Sequence, residues 1–112
     1  MKKYGYIILI CFLAFACGKK APSSAQPDVF HVSGNCGMCK KTIEKSLNVN
    51  GVFSADWNKQ TKDITVVYDS KIISLDIIKQ RIAKAGYDND TYKAADEDYN
   101  GLHSCCQYDR GK

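Results

Sequence analysis

Ser33-Gly34-Asn35-Cys36-Gly37-Met38-Cys39-Lys40-Lys41-Thr42-Ile43-Glu44 joins the end of an apolar alternation to the start of a helical repeat through a glycine-punctuated loop. Two cysteines stand three residues apart within it. Entering a helix, such a pair can turn both sulfurs to one side, where two thiolates hold a soft cation. The thiolate is the reactive form, and the helix N-terminus, the paired cysteine and the nearby Lys40 and Lys41 all favour it. Gly34 and Gly37 leave the backbone free to curl round an ion. The stretch therefore reads as a soft-metal or redox site with Cys36 and Cys39 as the metal ligands and Asn35 and Met38 beside them. The blander reading is a packed pair of small hydrophobes or a closed disulfide.

Working outward, Phe30 and Val32 alternate with His31 and Ser33, which predicts a strand feeding the loop and leaves His31 on the solvated face. Ile43 and Leu47 recur at helical spacing until Asn48 to Gly51 stop the helix. Phe53 to Trp57 and Ile64 to Tyr68 flank Asn58-Lys59-Gln60-Thr61-Lys62-Asp63 as a hairpin, with Trp57 and Tyr68 expected in packing rather than in a ligand face. Ser74 caps a second helix whose stripe is Leu75, Ile78, Ile82 and Ala85, ended by Gly86. A weaker last strand is expected over Tyr87 to Tyr92. The order predicts an α+β ferredoxin-like βαββαβ sandwich: a four-stranded antiparallel sheet with two helices on one face.

The N-terminus has a different character. Lys2 and Lys3 precede an apolar run from Tyr6 to Ala16 that is short for a bilayer span, so residues 1–16 read as an export signal peptide. Leu13-Ala14-Phe15-Ala16-Cys17 resembles a bacterial lipobox, with Ala14 where leucine is usual and Leu13 one position further back. That resemblance implies lipid attachment at Cys17, and the polar stretch that follows suits a lipid-anchored linker over residues 17–27. A secretory peptide cleaved near Ala16 or an uncleaved anchor are the alternatives. Loss of the signal lowers the formal charge from +4 to +2, since Lys2 and Lys3 leave and no acidic residue does. So mild a balance gives no reason to expect nucleic acid as a partner. The expected site is the bacterial cell envelope, periplasm-facing or extracellular. Four thiols besides Cys17 then meet an oxidising compartment, where unpaired ones usually serve metal or redox chemistry.

The segment from Phe30 to Tyr92 resembles the heavy-metal-associated domain of copper chaperones, metal-pumping ATPases and the periplasmic mercury-binding protein. The resemblance rests on Cys36-x-x-Cys39, Ile43-Glu44, Gly51-Val52, Val66-Val67-Tyr68-Asp69 and Ala85-Gly86-Tyr87. It implies a domain over residues 28–93, Cys36 and Cys39 as ligands, and Tyr87 near the ion. Tyr87 as an ordinary packed strand residue is the alternative. The chain departs from the usual Gly-Met-Thr-Cys by reading Gly34-Asn35-Cys36, without the methionine that packs under the loop.

The tail, residues 94–112, carries an acidic turn or short helix and then His103-Ser104-Cys105-Cys106. Cys105, Cys106 and His103 are candidate additional metal ligands by type. Ala94 to Cys105 can extend about 35 Å, against about 17–20 Å along a strand, so the tail can reach the first site. A disulfide is its alternative role. The functional expectation is an envelope metallochaperone or scavenger, not an enzyme, that binds Cu(I) and passes it by thiolate exchange to a metal-exporting ATPase, an efflux system or another metal-accepting protein. Hg(II), Zn(II) and Cd(II) are the alternative ions. The competing function is a thiol–disulfide oxidoreductase, which is disfavoured because no proline follows Pro27.

Overall fold

A computed structural model describes residues 25–110 of the 112-residue chain. The expected signal peptide, Cys17 and most of the linker lie outside the described residues. Within them the elements run β1 (Ala25–His31), α1 (Gly37–Ser46), β2 (Val52–Trp57), β3 (Asp63–Asp69), α2 (Leu75–Lys84) and α3 (Asp96–Asn100), followed by a single 3-10 turn, Ser104–Cys106. No helix among the described residues is long and apolar enough to cross a membrane.

The sheet is antiparallel in the order β1-β3-β2. β1 begins three residues before Asp28, and Ala25 pairs with Asp69. The predicted hairpin forms. Its turn is held by the Asn58 side-chain oxygen, which accepts from the N–H groups of Gln60 (2.8 Å) and Thr61 (3.0 Å). Alternation along β3 buries Ile64, Val66 and Tyr68, and these meet Ile43 of α1, Leu47 at its C-cap, and Ile78 and Ile82 of α2 in one cluster. Each fully buried aliphatic side chain contributes about 1.5–3 kcal/mol. Trp57 and Tyr68 lie in this core and His31 is exposed, as the patterning predicts.

α2 follows its sequence signals closely. The Ser74 hydroxyl accepts from the Ile77 N–H at 3.2 Å, Asp76 lies in the first turn, and Arg81 and Lys84 lie in the last. Gly86 then takes φ +106°, a conformation costly for any residue with a Cβ.

The expected fourth strand over Tyr87 to Tyr92 is not formed, and the sheet has three strands among the described residues. One isolated bridge, Val32 with Asn89, and the Ser33 N–H to Asp88 carbonyl bond (2.9 Å) remain in its place. The cause is local competition. The Asn89 side-chain oxygen accepts from the Thr91 and Tyr92 N–H groups, both at 3.0 Å, and the Asp88 carboxylate accepts from the Ala94 N–H at 2.8 Å. These bonds bend the chain into a turn before a ladder can extend.

The close fit of Gly86 gives a stability prediction. A Cβ there would lie 2.9 Å from both the Asp98 carbonyl oxygen and Leu102 Cδ2. Gly86→Ala is expected to lower stability by about 1–3 kcal/mol, read as a reduced urea midpoint with an unchanged slope.

Candidate metal centre

The loop between β1 and α1 is shaped from beneath by β2. Trp57 fills the space under Gly34, where an added Cβ would come within 2.9 Å of the indole, and its Nε1–H donates to the Val32 carbonyl at 2.9 Å. Lys62 holds the loop from the far side of the hairpin, donating to the Gly34 carbonyl at 2.8 Å with its ammonium 5.5 Å from the Trp57 ring centre. Trp57 thus supports the loop from which the usual methionine is missing. Met38 is well exposed and does not take that place.

Cys36 is the N-cap of α1 and Cys39 lies in its first turn, so the helix start carries both sulfurs. They are 3.8 Å apart. Cys39 is fully buried and accepts from the Asn35 N–H at 3.3 Å. Cys36 is half-buried, and the N–H groups of Cys39 and then Met38 bring its thiol down to about 7. This is the expected effect of the open N–H groups at a helix start. The part assigned to Lys40 is not seen. Its ammonium is turned to Glu44 (2.6 Å), Asp56 (2.7 Å) and the Trp57 carbonyl (3.0 Å), pinning α1 to β2.

The tail folds back onto this site and separates its three candidate ligands. Cys106 is buried, and its sulfur lies with those of Cys36 and Cys39 in a group whose members are all within 4.8 Å of one another. Burial, reinforced by Cys39, pushes its thiol up to about 12. Cys105 is exposed and outside that group. Its thiol lies 3.8 Å from Met38 Sδ, and its carbonyl accepts from Asn35 Nδ2 (3.3 Å) and from the Cys36 thiol (3.6 Å). His103 is exposed and is not brought into the group. The four described cysteines are all free thiols, so the disulfide alternatives are not seen.

Tyr87 lies in the core against the sulfurs of Cys39 and Cys106. It is completely buried, and its hydroxyl has no hydrogen-bond partner among the described residues. Burial, with the sulfurs of Cys106 and Cys39 close by, holds this phenol far above its usual range. Beside it, Tyr108 stacks at 5.9 Å between ring centres. The Tyr108 hydroxyl accepts from the Asp88 N–H and donates to the Gly86 carbonyl, both at 2.9 Å. Arg110 grips Asp88 with Nε at 3.0 Å and an Nη at 2.7 Å. Neither Tyr108 nor Arg110 stands in a periodic pattern, and their only sequence signal is an aromatic and a cation just beyond the cysteine pair.

Residues 29–88 match the heavy-metal-associated domain family. The copper chaperone CopZ of Staphylococcus aureus is 36% identical over 63 residues, which span 54% of this chain and 93% of the relative. Among solved structures, the N-terminal domain of a potential copper-translocating P-type ATPase from Bacillus subtilis, in its Cu(I)-loaded state, is 33% identical. That likeness has a TM-score of 0.56 and covers 58% of this chain and 84% of that one. Oxidized MerP from Ralstonia metallidurans is 28% identical with a TM-score of 0.55, over 58% of this chain and 93% of its own. The oxidoreductase reading of the same cysteines gains nothing from these likenesses.

The two environments predict an order of reaction in the metal-free, reduced protein. Cys36 is expected to be alkylated by iodoacetamide first among Cys36, Cys39 and Cys106, with a rate that rises through a midpoint near pH 7. Cys106 stays unmodified across that range. Peptide mass mapping at a series of pH values checks both.

Proposed function

The chain belongs to the heavy-metal-associated domain family, and on that premise we propose that it captures Cu(I) with Cys36 and Cys39 and passes it on by thiolate exchange. The observation that carries this reading is the pair of sulfurs 3.8 Å apart at the start of α1, one of them partly exposed with a thiol near 7. An ion held there is gripped by thiolate at neutral pH and stays open to an incoming sulfur. No bond of the cargo is made or broken beyond its ligation, so the protein is a carrier and not an enzyme.

Copper is favoured by the donor set. Among the described residues, the ligand cluster contains sulfur alone, with no carboxylate or imidazole. Thiolates suit both Cu(I) and Zn(II), but structural Zn(II) sites are closed by four ligands, and this cluster offers three. Hg(II), Zn(II) and Cd(II) remain the competing cargoes. The acceptor is a metal-exporting ATPase, an efflux system or another protein presenting thiolates. The likeness to a domain of a potential copper-translocating ATPase supports the first of these.

The protein is further proposed to work at the cell envelope, anchored through lipid on Cys17. Lys2, Lys3, the apolar run to Ala16 and the polar residues after Cys17 support this placement. Cys17→Ala in the full-length chain is expected to move the protein from the membrane fraction to the soluble one; retention in the membrane refutes the anchor.

The metal reading is tested by anaerobic titration of the reduced protein with Cu(I), Zn(II) and Hg(II), followed by native mass spectrometry and competition with a Cu(I) chelator. One Cu(I) per chain is expected. Cys36→Ser combined with Cys39→Ser should weaken binding by about 100-fold or more, since losing both ligands costs more than the roughly 10–100-fold lost with an outer-shell partner. Equal affinity in the double variant sinks the proposal.

A further inference from the structure

We propose that Cys106, from the tail beyond the family domain, is a third thiolate ligand that closes the Cys36–Cys39 pair into a single three-sulfur site for one Cu(I) ion. The inference rests on the reading of Cys36 and Cys39 as a soft-metal site, and adds a ligand that residues 29–88 do not contain.

The first argument is the spacing of the sulfurs. Metal–thiolate bonds of about 2.3 Å would set two sulfurs about 4.6 Å apart across a linear two-coordinate ion, and about 4.0 Å apart in a trigonal one. Cys36 and Cys39 are 3.8 Å apart, and the sulfurs of Cys36, Cys39 and Cys106 all fall within 4.8 Å of one another. An ion bound to the pair at that separation subtends an angle of about 110° at bonds of about 2.3 Å. A whole side of its coordination sphere is left for another donor, and Cys106 supplies one.

The second argument is that Cys106 is put there mainly by bonds that involve no sulfur. Tyr108 is bonded through its hydroxyl to both Gly86 and Asp88. The Tyr99 hydroxyl donates to the Tyr108 carbonyl at 2.6 Å, and Gln107 donates to the carbonyls of Asn100 and Leu102, both at 3.2 Å. Arg110 completes the strap at Asp88 and at the Ala94 carbonyl (2.7 Å). A thiol carried into a protein interior by seven such bonds is preorganised, so the ion finds its third ligand without ordering the tail itself.

The third argument is the Tyr87 hydroxyl, buried against Cys106 and Cys39 with no hydrogen-bond partner among the described residues. A buried O–H without an acceptor is costly, and a metal-bound thiolate is an acceptor that neutral thiols supply poorly. Loading the site with Cu(I) leaves the ion's oxidation state unchanged. Three sulfur–metal bonds form, and any proton still carried by the three thiols passes to solvent.

The test uses the full reduced chain and Cu(I) itself. X-ray absorption of the one-to-one complex should count three sulfurs around copper in the native protein and two in Cys106→Ser and Cys106→Ala, with affinity for Cu(I) reduced roughly 10–100-fold in both. Cys106→Ala preserves an apolar group in the packed position, and a count of two sulfurs in the native complex overturns the proposal even if neither variant folds, while a native count of three that a Cys105→Ser variant retains assigns the third place to Cys106. Two sulfurs in the native complex overturn the proposal, as do three retained in the Cys106 variants, which would assign the place to Cys105. Equal binding after Cys36 and Cys39 are both replaced sinks the underlying metal reading as well. A two-sulfur native complex that still requires that pair removes the third ligand alone.

Discussion

Asp88 joins parts of the chain that would otherwise be independent. Its carbonyl takes the Ser33 N–H from the loop ahead of the cysteines, its own N–H is held by Tyr108, and its carboxylate takes the Ala94 N–H and the Arg110 guanidinium. Burial alone would raise this carboxyl, but Arg110, the Ala94 N–H and Lys93 outweigh it and hold the group below its usual range. Such a junction is asymmetric in energy: the intact pair adds little over an apolar contact, whereas removing one partner strands a charge in the interior. Loop, sheet edge and tail are therefore held or lost together.

The sulfur site is built with little help from neighbouring cations. Backbone N–H groups at the start of α1 favour thiolate at Cys36, while burial opposes it at Cys106. Lys40 serves a structural end: with Glu44, which also accepts from the Trp57 N–H at 2.8 Å, it ties the cysteine-bearing helix to the hairpin. Lys40 is thereby kept from acting as a counter-charge to the thiolates, and an arriving metal cation can draw protons from the thiols.

Much of this was legible in the residues. The stripe and cap of α2, the alternation along β3, the hairpin and the cysteine loop are short-range patterns, and short-range patterns report the face of an element. Burial of Trp57 and exposure of His31 follow from the same alternation. The failed fourth strand shows the limit. Asp88, Asn89 and Asp90 marked the segment as weak, but only in three dimensions do Arg110 and the Ala94 N–H together hold the Asp88 carboxylate. The same limit applies to Lys40, which is near the cysteines in sequence and turned away from them in space.

The two helices, the hairpin and the cysteine pair at the start of α1 follow from the chain read alone, because each depends on periodicity, on turn residues or on neighbours a few positions apart; the place of Tyr87 was implied only by the family resemblance. Which of Cys105, Cys106 and His103 enters the centre was decided by tertiary structure. Adjacent residues in a 3-10 turn face different ways, and only the bonds of Tyr108, Tyr99 and Arg110, across 9 to 22 positions of sequence, set that turn so that Cys106 points inward and Cys105 stays at the surface.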